Sequence, residues 1–241
     1  MRDLYSRKVI LAVLVVCVGF IGQAQIDHVG NHNFRTFQQK KVYFGITLAF
    51  NSSNFQIHHS KNFILNDTFA VAEAKPGPGF TVSLVANLKM GDNFDFRFLP
   101  GFSFAERSIV FYETDIDKSR STTTIESVFI QMPFHVRYKS APYKDKRVFA
   151  IAGIKYTYDV ASNSRVRKEK SLNLINISPH DFAFEIGAGI QFFLPLFIFS
   201  PEIKFSQGLS NILIYNGALE KSKVLETLNS RTFTISLHFE G

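Results

Sequence analysis

Bulky apolar residues alternate with small or polar ones over nine or more positions in seven segments of the chain, and over a shorter stretch in an eighth. The clearest runs from Phe94 to Phe104. Phe94, Phe96, Phe98, Pro100, Phe102 and Phe104 share one parity, and Asp95, Arg97, Leu99, Gly101, Ser103 and Ala105 share the other. A strand turns successive side chains to opposite faces. The pattern therefore predicts long strands with one greasy side and one wet side.

The other segments follow the same rule. Val42–Phe50 opposes Val42, Phe44, Ile46, Leu48 and Phe50 to Tyr43, Gly45, Thr47 and Ala49. Phe80–Leu88, Val128–Tyr138, Val148–Asp159 (the weakest), Phe182–Phe192, Phe197–Ser206 and Thr232–Phe239 complete the set. The connections alternate in length. Asn51–Gly79, Ala105–Ser127, Val160–Asp181 and Ser206–Arg231 are long, and Lys89–Asn93, Lys139–Arg147 and Leu194–Leu196 are short. Long-short alternation predicts an outer-membrane barrel with short periplasmic turns and longer external loops. The expected fold is all-β, an eight-stranded antiparallel up-and-down transmembrane β-barrel. It follows an N-terminal signal peptide.

Arg2, Arg7 and Lys8 precede the apolar run Val9–Phe20, and Gly22-Gln23-Ala24 is a small-x-small cleavage site. The run is short of the ~20 residues that a helical span needs. It reads as a secretory signal peptide, residues 1–24, cut between Ala24 and Gln25. The chain's single cysteine, Cys17, lies within it, so the mature chain would have no disulfide and no thiolate chemistry. Residues 25–41 are polar and basic without a period, and are expected to be a flexible periplasmic arm. Residues 42–241 are expected to form the barrel. The formal charge of +7 falls to +5 when three cations and one carboxylate leave with the leader. These charges are scattered rather than clustered with aromatics, so no nucleic-acid partner is implied.

Periodicity does not say which face points outward, because a lipocalin-like soluble barrel turns its apolar face inward. Volume decides. More than half of the chain's 27 Phe fall on the apolar parity, and an eight-stranded barrel encloses room only for its own inward side chains or one small ligand. The rings are therefore predicted to face lipid. Gly45, Gly101, Gly153, Gly187 and Gly189 lie on the other parity and suit a narrow lumen. Inward charges nearly cancel: Asp95, Asp159, Glu185 and Glu202 against Arg97, Arg137, Lys155 and Lys204. Asp95 and Arg137 are expected to pair near the periplasmic end. Lys155, Asp159, Glu185, Glu202 and Lys204 would form a second group higher up. A salt-bridged plug is the preferred role of this lumen set, and a proton or ion path is the alternative.

Motifs for catalysis are sparse. No H-E-x-x-H, P-loop or G-x-S-x-G occurs. His58-His59 falls in the first long connection, where adjacent side chains point apart. Ser178, His180 and Asp181 cluster at the mouth of the sixth strand, where some outer-membrane enzymes cleave or transfer lipid chains. Arg165, Arg167, Lys168 and Lys170 make a basic stretch in the third long connection. It suits either lipid-headgroup phosphates or an acidic partner. No catalytic, cofactor-binding or metal-binding residue is assigned, and no cofactor or small-molecule substrate is expected.

The run Glu126-Ser127-Val128-Phe129-Ile130-Gln131-Met132-Pro133-Phe134-His135-Val136-Arg137-Tyr138-Lys139 resembles the central strand of the PorT-like outer-membrane barrels of Bacteroidota. Ser200-Pro201-Glu202-Ile203-Lys204-Phe205-Ser206-Gln207-Gly208-Leu209-Ser210-Asn211 resembles their seventh strand and the loop after it. The layout is similar from about Val42 to Phe239. Glu240 and Gly241 after the terminal aromatic depart from the general outer-membrane pattern. The resemblance implies a non-enzymatic accessory or assembly component of the type IX secretion system, supporting gliding motility in some species. It would lie in the bacterial outer membrane with both ends periplasmic. Its partners would be outer-membrane lipid and other secretion-system proteins. A structural envelope barrel and a rim-active lipid-modifying enzyme are the alternatives.

Overall fold

The computed structural model describes residues 31–59, 69–113, 120–161, 176–215 and 225–241. The leader with its Ala24/Gln25 junction, the first residues of the arm and the Arg165–Lys170 basic stretch lie outside the described residues. The elements are α1 (His32–Gln38), β1 (Val42–His59), β2 (Phe69–Lys89), β3 (Phe94–Phe98), β4 (Gly101–Glu113), β5 (Arg120–Lys139), β6 (Lys146–Asp159), β7 (Asn176–Ile177), β8 (His180–Phe193), β9 (Ile198–Gly208), β10 (Leu213–Ile214) and β11 (Leu225–Glu240).

Every wall pairing is antiparallel, and β11 returns to pair with β1, closing the ring. β3 and β4 are two halves of one wall strand, since both pair with β2 on one side and β5 on the other. The wall is therefore eight-stranded. Over the membrane-spanning part, closure pairs each strand on both sides, which a backbone surrounded by hydrocarbon requires. The expected third strand, Phe94–Phe104, is interrupted at Leu99–Pro100. Pro100 has no N–H to offer the ladder. Leu99 N–H donates to Pro133 O at 3.1 Å and Pro100 O accepts from Leu84 N–H at 2.9 Å, so the wall stays sealed across the break.

The apolar parity points outward. Phe44, Phe50, Leu84, Phe102, Val148 and Phe182 are all about half exposed or more. The opposite parity is buried, including Asp95, Arg97, Arg137, Glu185 and Glu202. Neighbouring rings of the belt stack across strands, Phe80 on Phe104 and Phe98 on Phe134, each pair with centroids 4.6 Å apart.

The strands run well past the belt at the far end, where the sequence analysis expects long loops. β1 reaches His59, so His58 sits on a strand opposite Thr227. The phase of the pattern inverts there. Ser52, His58, Thr122, Thr124 and Glu126 face outward. Phe55, Ile109, Ile125, Leu225 and Leu228 pack inward with Ile177 and Ile212. Above the bilayer no lipid covers the outer face, so the wall reverts to the ordinary soluble arrangement of apolar inside and polar outside.

The near end is also closed. Residues 25–41 are expected to be a flexible arm, but in its described part α1 lies across the opening. The two-residue turn at Lys144–Asp145 adopts positive φ at both positions, the geometry of a type I′ hairpin. Asp145 then holds the helix. Its carboxylate accepts from Phe34 N–H at 3.0 Å, and its own N–H donates to Asn31 Oδ1 at 3.0 Å. Phe37 packs with Tyr43, Phe193 and Ile198. Burial of this apolar residue gives the segment a reason to fold that its polar composition conceals.

Leu84 is 63% exposed at the middle of the belt on β2. Leu84→Arg should lower folding stability in lipid vesicles by about 2–4 kcal/mol, measured by denaturant titration. A shift within about 0.5 kcal/mol, typical of a water-facing surface, would contradict a lipid-facing position.

Candidate functional site

The inward side chains of the membrane-spanning wall form two charge networks. The lower one centres on Asp95 and Arg137, which sit opposite each other on β3 and β5. Arg137 Nη2 and Nε donate to Asp95 Oδ2 at 2.6 and 3.1 Å. Tyr43 hydroxyl also donates to Asp95 Oδ2, at 3.3 Å, and Lys139 donates to its other oxygen. Arg137 further donates to Asn87 Oδ1 at 3.1 Å and to the Tyr43 hydroxyl. Arg97 pairs with Glu240 and lies 3.5 Å from Glu202. His238 bridges Glu202 at 3.4 Å and Thr47 at 2.6 Å.

The upper network centres on Glu185, which is fully buried on β8. Its carboxylate meets His135 Nε2 at 2.6 Å, Lys155 Nζ at 3.0 Å and Lys204 Nζ at 3.1 Å. It also accepts from the Ser206 hydroxyl. Four carboxylates thus face five lysines and arginines across the two networks. Several charge-assisted bonds converge on Asp95 and on Glu185, the condition under which a buried charge persists.

Two glycines make room for these groups. Gly189 lies opposite Phe149, and a Cβ there would fall 2.4 Å from the Phe149 ring. That ring in turn carries the Arg137 guanidinium at 5.1 Å. Gly153 lies opposite His135, where a Cβ would come within 2.7 Å of the imidazole.

Of the eight lumen residues named from sequence, seven enter the two networks. Glu202 belongs with Arg97 in the lower one rather than in the upper group expected for it. Asp159 lies near the far end of β6, where its carboxylate accepts from Ala161 N–H at 3.0 Å. Tyr43, His135, Lys139, His238 and Glu240 also join the networks, beyond the residues expected from sequence. Parity was the available signal, because Lys139 extends the series Gln131, Pro133, His135, Arg137, and Glu240 extends Thr234, Ser236, His238.

Ser178, His180 and Asp181 are adjacent but do not act on one another in sequence as a relay. The Ser178 hydroxyl donates to the His180 carbonyl at 3.1 Å, and the His180 ring bonds Tyr156 at 2.7 Å. The Asp181 carboxylate accepts from Ser210 at 3.2 Å and from Ser230. Among the described residues no group of His, Asp or Glu gathers in metal-ligating geometry.

Between the networks a cavity of ≈ 20 Å³ remains, lined by Thr47, Ser83, Lys155, Glu185, Lys204 and His238 among others. By a measure in which one water needs about 10–15 Å³, that is space for one or two waters. The apolar cluster around Ile109 and Leu228 closes the lumen beyond the upper network, and α1 with Phe193 closes it below the lower one. The arrangement suits a salt-bridged plug.

The model of the outer membrane protein beta-barrel domain family matches residues 23–213. Comparison with curated proteins finds no match. Among solved structures, OprG of Pseudomonas aeruginosa is similar at 11% identity and a TM-score of 0.45, covering 83% of this chain and 95% of its own. Neisserial surface protein A is similar at 7% identity and a TM-score of 0.41, covering 81% and 96%. Ail, the attachment invasion locus protein of Yersinia pestis, is similar at 13% identity and a TM-score of 0.38, covering 84% and 100%. Likeness at this level says nothing about what the chain does.

Arg137→Ala removes the cation that bonds Asp95 Oδ2, leaving Asp95 with Lys139 alone and Glu240 with Arg97 alone, and should cost about 3–5 kcal/mol, read as a lower thermal transition in detergent. Asp95→Ala in the same chain should recover part of that loss, with a coupling of about 0.5–3 kcal/mol. An unchanged transition, or strict additivity, would contradict the pairing.

Proposed function

The chain belongs to the outer membrane protein beta-barrel domain family, and we propose that it serves as a non-enzymatic accessory or assembly component of the type IX protein secretion system, with gliding motility where that system supports it. The observation that carries this reading is a barrel closed at both ends and filled by ion pairs. Eight strands leave no pore for a protein, and this lumen has no room for a solute stream. Such a barrel acts by contact, through its wall, its extended strands and its ends.

The segments that resemble the PorT-like barrels lie at the centre of the networks. Glu126–Lys139 falls within β5 and supplies His135, Arg137 and Lys139. Ser200–Asn211 runs along β9 and supplies Glu202, Lys204 and Ser206. In this reading the end with short turns, α1 and the C-terminus is periplasmic, and the extended strands stand outside the cell. The partners are outer-membrane lipid and other secretion proteins.

A structural envelope barrel is the second reading, favoured by the same rigid, ion-paired lumen. A deletion strain separates the two. Type IX cargo should accumulate in the periplasm while envelope integrity and lipid A stay as in the parent. Normal cargo export with a weakened envelope would overturn the secretion role in favour of the structural one.

A further inference from the structure

At the end of the barrel where the chain enters, a cleft of ≈ 320 Å³ opens between α1 and the strand ends. Its lining carries Lys40, Lys41, Lys89, Lys139 and Arg147, with Asp92 as the one carboxylate among the described lining residues. Two of these cations are accounted for. Lys139 is held by Asp95, and Lys89 donates to the main-chain carbonyls of Phe37 and Gln38 at the end of α1. The other three have no carboxylate within ion-pairing distance among the described residues.

Arg147 is the most informative of the three. It is 5% exposed, and its guanidinium is seated between the rings of Phe34 and Phe193, at 5.5 and 5.1 Å. Its Nε donates to Gln191 Oε1 at 2.7 Å, its one hydrogen bond to a described residue. A buried cation is ordinarily paired. Here two aromatic rings and a glutamine fix an arginine in place, and among the described residues no carboxylate lies within ion-pairing distance of it. Like charges gathered at one mouth repel, and the arrangement becomes favourable when an anion enters. Lys40 and Lys41, both exposed on the short link between α1 and β1, stand over the same opening.

We propose that this cleft is a binding site for a multiply charged oxyanion of the phosphate or pyrophosphate class, carried on a free molecule or on a lipid headgroup. The cations converge on one compact opening rather than along an extended groove, which suits a small group of high charge better than an acidic polypeptide. Arginine's planar fork matches phosphate oxygens, and lysine adds mobile point charges. The site adjoins the lower lumen network through Lys139, and it does not depend on the secretion role.

The test uses the full chain purified from outer membrane and titrated calorimetrically at low salt with inorganic phosphate and with pyrophosphate. Saturable binding is expected, stronger for pyrophosphate. Arg147→Gln should weaken it at least tenfold. The double variant K40Q/K41Q, at exposed positions outside the barrel wall, should weaken it severalfold while the thermal transition in detergent stays in place. A repeat in nanodiscs identifies the source. Pyrophosphate binding that is lower in phosphatidylglycerol than in phosphatidylcholine discs assigns the phosphate to a lipid headgroup, and equal binding assigns it to a free oxyanion. Both results support the site. Absence of saturable heat, binding unchanged in K40Q/K41Q and Arg147→Gln, or binding to an oligoglutamate peptide without binding to pyrophosphate would overturn it.

Discussion

Ionised side chains in the lumen of this barrel have almost no water to turn to. Hydrocarbon surrounds the wall, the lumen is narrow, and apolar packing shuts both ends. Most of the inward charges are therefore met by another within a few ångströms. The two networks are the result, Asp95 with Arg137 and Lys139 below, Glu185 with His135, Lys155 and Lys204 above. The same condition explains the glycines and aromatics on the inner face. Gly189 leaves room for Phe149, and Phe149 carries Arg137.

The lipid sets where the pattern of the strands changes phase. Within the belt, apolar residues point out and charges point in. Beyond it, the strands continue as a soluble-type structure whose core is Phe55, Ile109, Ile125, Leu225 and Leu228. Arg107 stands just beneath that core, its guanidinium 4.5 Å from the Phe55 ring centroid and 4.9 Å from that of Phe129. One continuous sheet is thus folded by two different solvents. The lumen it encloses is packed rather than open.

Much of this was legible from the sequence, because a period of two is simple and hydrocarbon enforces it strictly. The wall strands, their order, the outward Phe residues and the opposition of Asp95 to Arg137 all follow from parity and hairpin connectivity. What escaped has identifiable physical causes. The extended ends of β1, β2, β4 and β5 were hidden because the expected alternation keeps its outward-apolar phase only inside the membrane. Lys139 and Glu240 were hidden because they sit at strand ends, where charge is ordinarily assigned to solvent. The helix at His32–Gln38 was hidden because a seven-residue segment with polar composition folds only through tertiary contacts, here with Phe193 and Asp145.

The orientation of the wall is measured most directly by spin-label accessibility along one strand. Single cysteines placed in turn from Phe102 to Ala105 in a Cys17→Ser background, reconstituted in lipid, would be read for collision with oxygen and with a water-soluble nickel chelate. Oxygen accessibility should peak at Phe102 and Phe104 and fall at Ser103 and Ala105, with the chelate excluded from all four. The inverse alternation, or free access of the chelate to Phe102 and Phe104, would contradict a wall whose phenylalanines are solvated by lipid.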